Sequence, residues 1–201
     1  MERLQQPLPI RLKTILDRLM VFCITPMAIK PWVPTIPCSI LDRGAREMLD
    51  HMTRTLSGDI FQFLLESEGK RAMRYTYFFS ILTIEIDQVE NGDELLATLA
   101  ELIRRSLRKT DLIGRIDHRR LSVILHHAEV PNTYSVGERI RDRVENYNFE
   151  LGNHQYKQTV SVGGACFPTH TPDTKDLLLT ANEMLLRARS MGGNQVYLPE
   201  M

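Results

Sequence analysis

Three groups of charged residues in this chain have the spacing that chemistry needs. Glu85 and Asp87 close the apolar run Phe78 to Ile86. On a strand, residues two apart point to one face, so the two carboxylates are either a candidate cation site or a leftover strand-end pair. Arg108-Lys109-Thr110-Asp111 sets a guanidinium and a carboxylate three residues apart at a helix end. An arginine can fork two donors to an anion, but a cation in a last helical turn followed by an acid is also ordinary capping. Both readings stay open for Arg108 and Asp111. The third group is Asp117-His118-Arg119-Arg120. Asp and His tolerate positive φ better than most residues, which suits a two-residue hairpin turn at 117–118. Arg119 and Arg120 read as solvated turn residues rather than a new anion site. His118, His126 and His127 invite a metal, but neighbouring histidines on a strand point to opposite faces, so a surface edge is expected and no metal site is assigned.

The elements that must carry these groups follow from hydrophobic period. Gly58 to Tyr75 has helical spacing, with Ile60, Phe63 and Leu64 on one face. Phe78 to Ile86 is rich in aromatic and β-branched residues, as a central strand requires. Asn91 to Arg108 carries the broad stripe Leu95, Leu96, Leu99, Ala100, Leu102, Ile103, Leu107, with Asp93 placed to cap or to stabilise the dipole at its start. Leu112–Ile116 and Leu121–Leu125 read as a hairpin. Tyr134 to Tyr147 is a helix, Lys157 to Ala165 a strand, Asp173 to Met191 a helix stopped by Gly192-Gly193-Asn194, and Gln195 to Leu198 a last strand. The order is that of an α+β sandwich, with helices covering a mainly antiparallel sheet.

Residues 1–57 differ from the rest. They hold six of the ten prolines, which break any long helix. Ile10 to Cys23 and Ser39 to Leu56 have helical spacing, and Trp32 reads as a packing anchor between prolines. The chain is therefore divided into an irregular helical N-terminal extension, 1–57, and a domain, 58–201. The run Leu19 to Ile29, bounded by Arg18 and Lys30, has about half the length of a membrane span, so no transmembrane segment is expected, although burial against a membrane surface or a partner stays open. The 201 residues are 43% apolar and 25% charged with a formal net charge of 0. That balance suits a globular domain and gives no global field for nucleic acid. Three separated cysteines, Cys23, Cys38 and Cys166, suggest neither a disulfide framework nor a zinc site, and a cytoplasmic location is expected.

Taken in order, several of these segments carry a resemblance. Gly92-Asp93-Glu94-Leu95-Leu96, Arg108-Lys-Thr-Asp111-Leu-Ile-Gly-Arg115-Ile, Thr159-Val-Ser161-Val-Gly163, and Ala181-Asn182 through Ala188-Arg189 to Gly192-Gly-Asn194 together resemble a GGDEF domain, the fold of diguanylate cyclases, over Arg74 to Leu198. The resemblance implies a ferredoxin-like, nucleotidyl-cyclase-like palm. The signature itself differs: where the family has Gly-Gly-Asp-Glu-Phe, this chain has Asp117-His118-Arg119-Arg120-Leu121. The family's glycines let the turn approach GTP and its acidic residues hold Mg²⁺. Here arginines stand where carboxylates are required, and Glu85 alone resembles the family's first metal aspartate. The segment from Asp87 to Gly92 is shorter than the family's, which carries a Lys and an Asn toward GTP. The family's final phosphate-facing Lys and Arg correspond to Arg189 and Gly193.

The resemblance thus implies a degenerate active site (Glu85, Asp93, Asp117, His118, Arg119, Arg120), with no catalytic residue and no Mg²⁺. It also implies a retained inhibitory-type site. Arg-x-x-Asp five residues before the signature binds cyclic di-GMP in many members; Arg108 and Asp111 stand there, and Arg139 matches the arginine from the next helix. An arginine can pair with a phosphate or with guanine O6 and N7, and an aspartate can accept from guanine N1–H, without a metal. The expectation is a catalytically silent cyclic di-GMP receptor that passes its signal to a protein partner, or across a homodimer, through residues 1–57. A non-binding scaffold and a residual diguanylate cyclase are the alternatives.

Overall fold

The computed structural model describes residues 48–88, 92–151 and 154–200. The expectations placed on residues 1–47, including the Ile10–Cys23 helix, the Leu19–Ile29 run and Trp32, lie outside the described residues. In chain order the elements are α1 (Gly58–Tyr75), β1 (Phe79–Ile86), α2 (Gly92–Ser106), β2 (Leu112–Arg115), β3 (Arg120–His126), α3 (Val130–Glu145), β4 (Asn148–Leu151), β5 (His154–Lys157), β6 (Val160–Phe167), α4 (Thr174–Ser190) and β7 (Val196–Tyr197).

β1 is the middle of a five-stranded sheet ordered β2-β3-β1-β6-β7. It pairs antiparallel with β3 and with β6, β2 pairs antiparallel with β3, and β7 runs parallel to β6. All eight residues of β1 are buried, because helices cover both faces. The strand's period of two divides the core in half. Leu82, Ile84 and Ile86 join the apolar stripe of α2, Ile140 and Val144 of α3, and Val160 and Val162 of β6. Phe79 and Ile81 join Phe61 and Leu65 of α1, Leu177 and Ala181 of α4, and Ala165 and Phe167 of β6. Glu85 is on this second face by alternation. α4 lies directly on β6: a Cβ added to Gly163 would run into the backbone of Ala181 and Leu185. Close packing of this kind requires glycine, and it sets how far the end of α4 reaches over the sheet.

α1 buries Phe61, Leu65 and Glu68, one residue round from the expected face of Ile60, Phe63 and Leu64. In three further places whole segments differ from the sequence-based expectation. Residues 48–56 are not helical: Leu49 and Leu56 form an isolated antiparallel bridge around a turn, and Leu56 also pairs with Gly114 of β2. The Leu56 amide donates to Ile113 O at 3.0 Å and its carbonyl accepts from Arg115 at 2.8 Å. The exposed edge of β2 recruits this segment, and backbone pairing overrides helical periodicity. Second, β4 and β5 form a separate two-stranded ribbon that the sequence reading missed. Its one buried anchor of note is Phe149, with the Tyr147 ring edge-on at 5.0 Å. Third, the turn after β2 is not a two-residue turn. Ile116 N–H donates to Arg120 O, which leaves three residues in the loop. Asp117 and His118 do not have positive φ; among described residues the non-glycine positions that do are Arg54, Thr76, His127 and Asn194. Asp117 instead closes the turn with its side chain, accepting from the amides of Arg119 at 2.7 Å and Arg120 at 2.9 Å. An Asx turn of this kind needs no left-handed residue. Among the described residues, no helix is long and apolar enough to cross a membrane.

Candidate functional site

Glu85, at the end of β1, is the best-buried charged group near the turn, with its side chain 1% exposed. The β1–β3 register sets it opposite Arg120. Arg120 Nε donates to Oε2 at 2.9 Å. Arg189, from the last turn of α4, donates through Nη1 to Oε1. Arg119 Nε lies 3.5 Å from the same Oε1, without hydrogen-bond geometry. The expectation that Arg119 and Arg120 are solvated turn residues is therefore corrected: both turn inward to the carboxylate, because a buried carboxylate without a cation would be strongly unfavourable. A divalent ion on Glu85 would have to displace guanidinium donors from both oxygens. Asp93 is exposed at the start of α2 and pairs with Arg115 at 2.7 Å, while His118 is an exposed turn residue. Among the described residues no three His, Cys, Asp or Glu side chains gather. This donor set does not fit Mg²⁺, which needs several oxygen ligands.

Asp87 does not share a site with Glu85. It follows the last residue of β1, and its carboxylate accepts from Thr159 Oγ1 at 2.7 Å, Ser161 Oγ at 2.5 Å and Asn194 N–H at 2.9 Å. Gly193, at φ 73°, passes so close that a Cβ there would sit 2.9 Å from Asp87 Cγ. This carboxylate fastens the turn after α4 to the ends of β1 and β6, which explains why a Thr-x-Ser strand and a Gly-Gly-Asn turn occur together.

Arg115, one residue past Gly114, was passed over in the sequence reading. Its guanidinium pairs with Asp50 at 3.4 Å and Asp93 at 2.7 Å, and donates to the carbonyls of Asp117 and His118. Asp50 in turn accepts from the amide and hydroxyl of Thr53, each at 2.8 Å. Burial alone would raise the Asp50 pKa, but the Thr53 hydrogen bonds and the Arg115 charge hold it below the usual carboxylate value. The sequence signal was present, Asp-x-x-Thr followed at a distance by an arginine, but its partners lie 65 residues apart.

The second group gathers around the C-terminal end of α2. Arg139 of α3 donates through Nε at 3.2 Å and Nη2 at 2.7 Å to Ser106 O, and Arg143 donates to Ser106 Oγ. Helix ends leave carbonyls unpaired, and this is how one of them is satisfied. Five residues on, Asp111 accepts from the Arg108 amide at 2.9 Å and from the His126 amide at 3.4 Å. The Arg108 guanidinium is exposed, and no side chain among the described residues pairs with it. The structure thus brings Arg108, Asp111 and Arg139 to the same helix end, with two of them also serving the backbone.

The histidines do not meet. His126 Nε2 is 3.3 Å from Glu68 Oε1, and His127, at φ 51°, packs its ring 4.7 Å from that of Tyr77. Glu68 also accepts from Tyr77 Oη at 2.8 Å and Arg71 at 3.1 Å. Burial would raise its pKa, but these donors and charges lower it, and the same burial and the Glu68 charge push the Tyr77 hydroxyl well up. Cys166, the one cysteine in the described residues, is a buried free thiol whose pKa burial raises, a structural rather than reactive environment.

Comparison with known proteins places this geometry. The sequence matches the family model "Diguanylate cyclase, GGDEF domain" over residues 47–195. It is 28% identical over 160 residues to diguanylate cyclase DosC of Escherichia coli K12, covering 75% of this chain and 35% of DosC. It is 27% identical over 132 residues to the uncharacterized protein YhcK of Bacillus subtilis, covering 61% and 37%. The chain thus spans about a third of the length of these curated relatives. Its fold superposes on the GGDEF domain of Caulobacter crescentus DgcB, solved in complex with c-di-GMP, with a TM-score of 0.69 at 18% identity, covering 75% of this chain and 95% of that one. The chain belongs to the GGDEF domain family.

Proposed function

We propose that this GGDEF-family chain is catalytically silent and acts as a cyclic di-GMP receptor through Arg108, Asp111 and Arg139, passing the signal to a protein partner or a second copy through residues 1–57. The observation that carries the receptor reading is the exposed guanidinium of Arg108, without a side-chain partner among the described residues, beside an aspartate and a second arginine at one helix end. Arg139 is already oriented by Ser106 O, so little side-chain entropy is lost when its outer face meets a ligand. Asp111 uses each oxygen once, and a carboxylate has further lone pairs to accept from a guanine edge. That DgcB was solved with c-di-GMP supports the ligand class. The silent reading rests on Glu85, whose oxygens face guanidiniums where metal ions would be needed.

Calorimetric titration of the full chain with cyclic di-GMP tests this. Binding is expected without a divalent ion. Arg108→Ala is expected to weaken it by about tenfold or more, with stability changed by less than about 0.5 kcal/mol because the side chain has no partner to lose. Equal affinity in the variant would remove the receptor reading, and product formed from GTP and Mg²⁺ would remove the silent one. A specific observation favours a second reading, a non-binding scaffold: Asp111 and Arg139 both satisfy backbone groups. That reading predicts no heat with cyclic di-GMP or GTP.

A further inference from the structure

Granted the cyclic di-GMP site proposed above, on which this rests, we infer that its affinity is set from α1, through His126. The β2–β3 ladder closes at Leu112 opposite Ile124. Two residues further along β3, the His126 amide lies past the end of its partner strand. Asp111, just before β2, supplies a side-chain acceptor there in place of a strand carbonyl, with Oδ1 at 3.4 Å. Its other oxygen, Oδ2, accepts from the Arg108 amide at 2.9 Å. The carboxylate that would receive a guanine edge is thus held at one oxygen by its own turn and at the other by the end of β3. The β3 contact is the longer of the two and the more easily changed.

From the same residue the ring reaches the other way. Side chains alternate along a strand, so His126 shares a face with Ile124, which packs among α1 and α4. Nε2 lies 3.3 Å from Glu68 Oε1. Nδ1 is buried without a partner among the described residues, so the proton of the neutral ring belongs on Nε2, where it has an acceptor. Glu68 is itself buried and is fixed by Arg71 at 3.1 Å and by Tyr77 Oη at 2.8 Å. The His127 ring packs against that of Tyr77 at 4.7 Å. Two consecutive residues at the end of β3 are thereby fastened to the last turns of α1 and to Tyr77 just beyond it, and the first of them also holds Asp111. A buried carboxylate with several donors has little freedom of its own. When α1 shifts, residue 126 goes with it, and Asp111 keeps or loses its second donor. A carboxylate already held in place loses less on binding, so the docked position of α1 is the one of higher affinity. Coupling of this kind is reciprocal: ligand on Asp111 steadies the end of α1. His126 is a positioning residue and touches no ligand.

The test is calorimetric titration of the full chain with cyclic di-GMP. His126→Ala keeps the backbone amide and removes only the ring, and affinity is expected to fall about fivefold, the size of one ordinary hydrogen bond. His126→Leu, which has bulk but no donor, should match it. His126→Gln places an amide N–H donor within reach of Glu68 and is expected to return affinity to within about twofold of the parent. Hydrogen exchange reads the reciprocal effect. Saturating cyclic di-GMP should raise the protection of the Tyr77 amide, which donates to Ala72 O at 3.3 Å, in the parent and in His126→Gln but not in His126→Ala. Unchanged affinity in His126→Ala, no recovery in His126→Gln, or equal protection of Tyr77 in both variants would each overturn the inference. If Arg108→Ala loses binding while His126→Ala keeps it, the receptor reading stands and this one falls; no heat from the parent removes both.

Discussion

The two arginine-bearing ends of the sheet solve the same problem in opposite ways. Around Glu85 the guanidiniums turn inward, and their inner edges neutralise a carboxylate that the core has enclosed. At the end of α2, Arg139 is held by a neutral carbonyl and the Arg108 guanidinium by no side chain among the described residues, so the positive charge is left facing water. A buried partner converts an arginine into part of the scaffold, whereas a backbone partner fixes its position and leaves its charge to spend on a ligand. Charge in a sequence therefore says little about binding until the partner is known.

The sharpest way to break this contrast is Gly163→Ala. The added methyl meets the backbone of Ala181 and Leu185, so α4 must lift and take Arg189 from Glu85. A loss of about 3 kcal/mol is expected from overpacking of this kind, read as a lower denaturation midpoint, with the Arg108 end unaffected. Glu85→Gln separates the ends next. It leaves a neutral amide among three guanidiniums, and a loss of about 2 kcal/mol is expected. That is less than the roughly 3–5 kcal/mol for breaking a fully buried pair, because the arginines are about a third exposed. If Glu85→Gln proves as mild as Arg108→Ala, the inward end is no more structural than the outward one.

The smallest effect lies on α1, where it meets the end of β3. Glu68 is 4% exposed and has its pKa lowered in the fold by His126, Arg71 and Tyr77 against the opposing effect of burial. A depressed carboxylate contributes stability that is present above its unfolded value, near 4.5, and is lost as pH falls through the folded value. Glu68→Gln should therefore flatten the acid limb of a stability-versus-pH curve below about pH 4.5 and leave the neutral region's slope unchanged.

Legibility followed locality. The α1 span was readable to the residue, the stripe of α2 from its period and the strand β1 from its aromatic and β-branched residues, because each buries one face or both along a continuous segment. β4 and β5 were not, since most of their side chains are polar and the ribbon depends on a single buried ring. Residues 48–56 carried apolar spacing that fits a helix equally well, and only the open edge of β2 decided otherwise. The Arg108, Asp111 and Arg139 group came from the family resemblance, and its three members lie at one helix end. The inward turn of Arg119 and Arg120 was not legible, because it depends on a register that sets Arg120 opposite Glu85 and on Arg189, 104 residues away from that carboxylate.

Arg115 has a consequence that reaches beyond either end. One guanidinium grips Asp50 upstream of α1, the first turn of α2 and two carbonyls of the 117–119 loop, while Leu56 is laced to the strand beside it. A tug on the chain ahead of Gly58 would therefore be felt at the hairpin tip directly, transmitted by a single cationic rivet and a pair of backbone hydrogen bonds without any repacking of the hydrophobic interior.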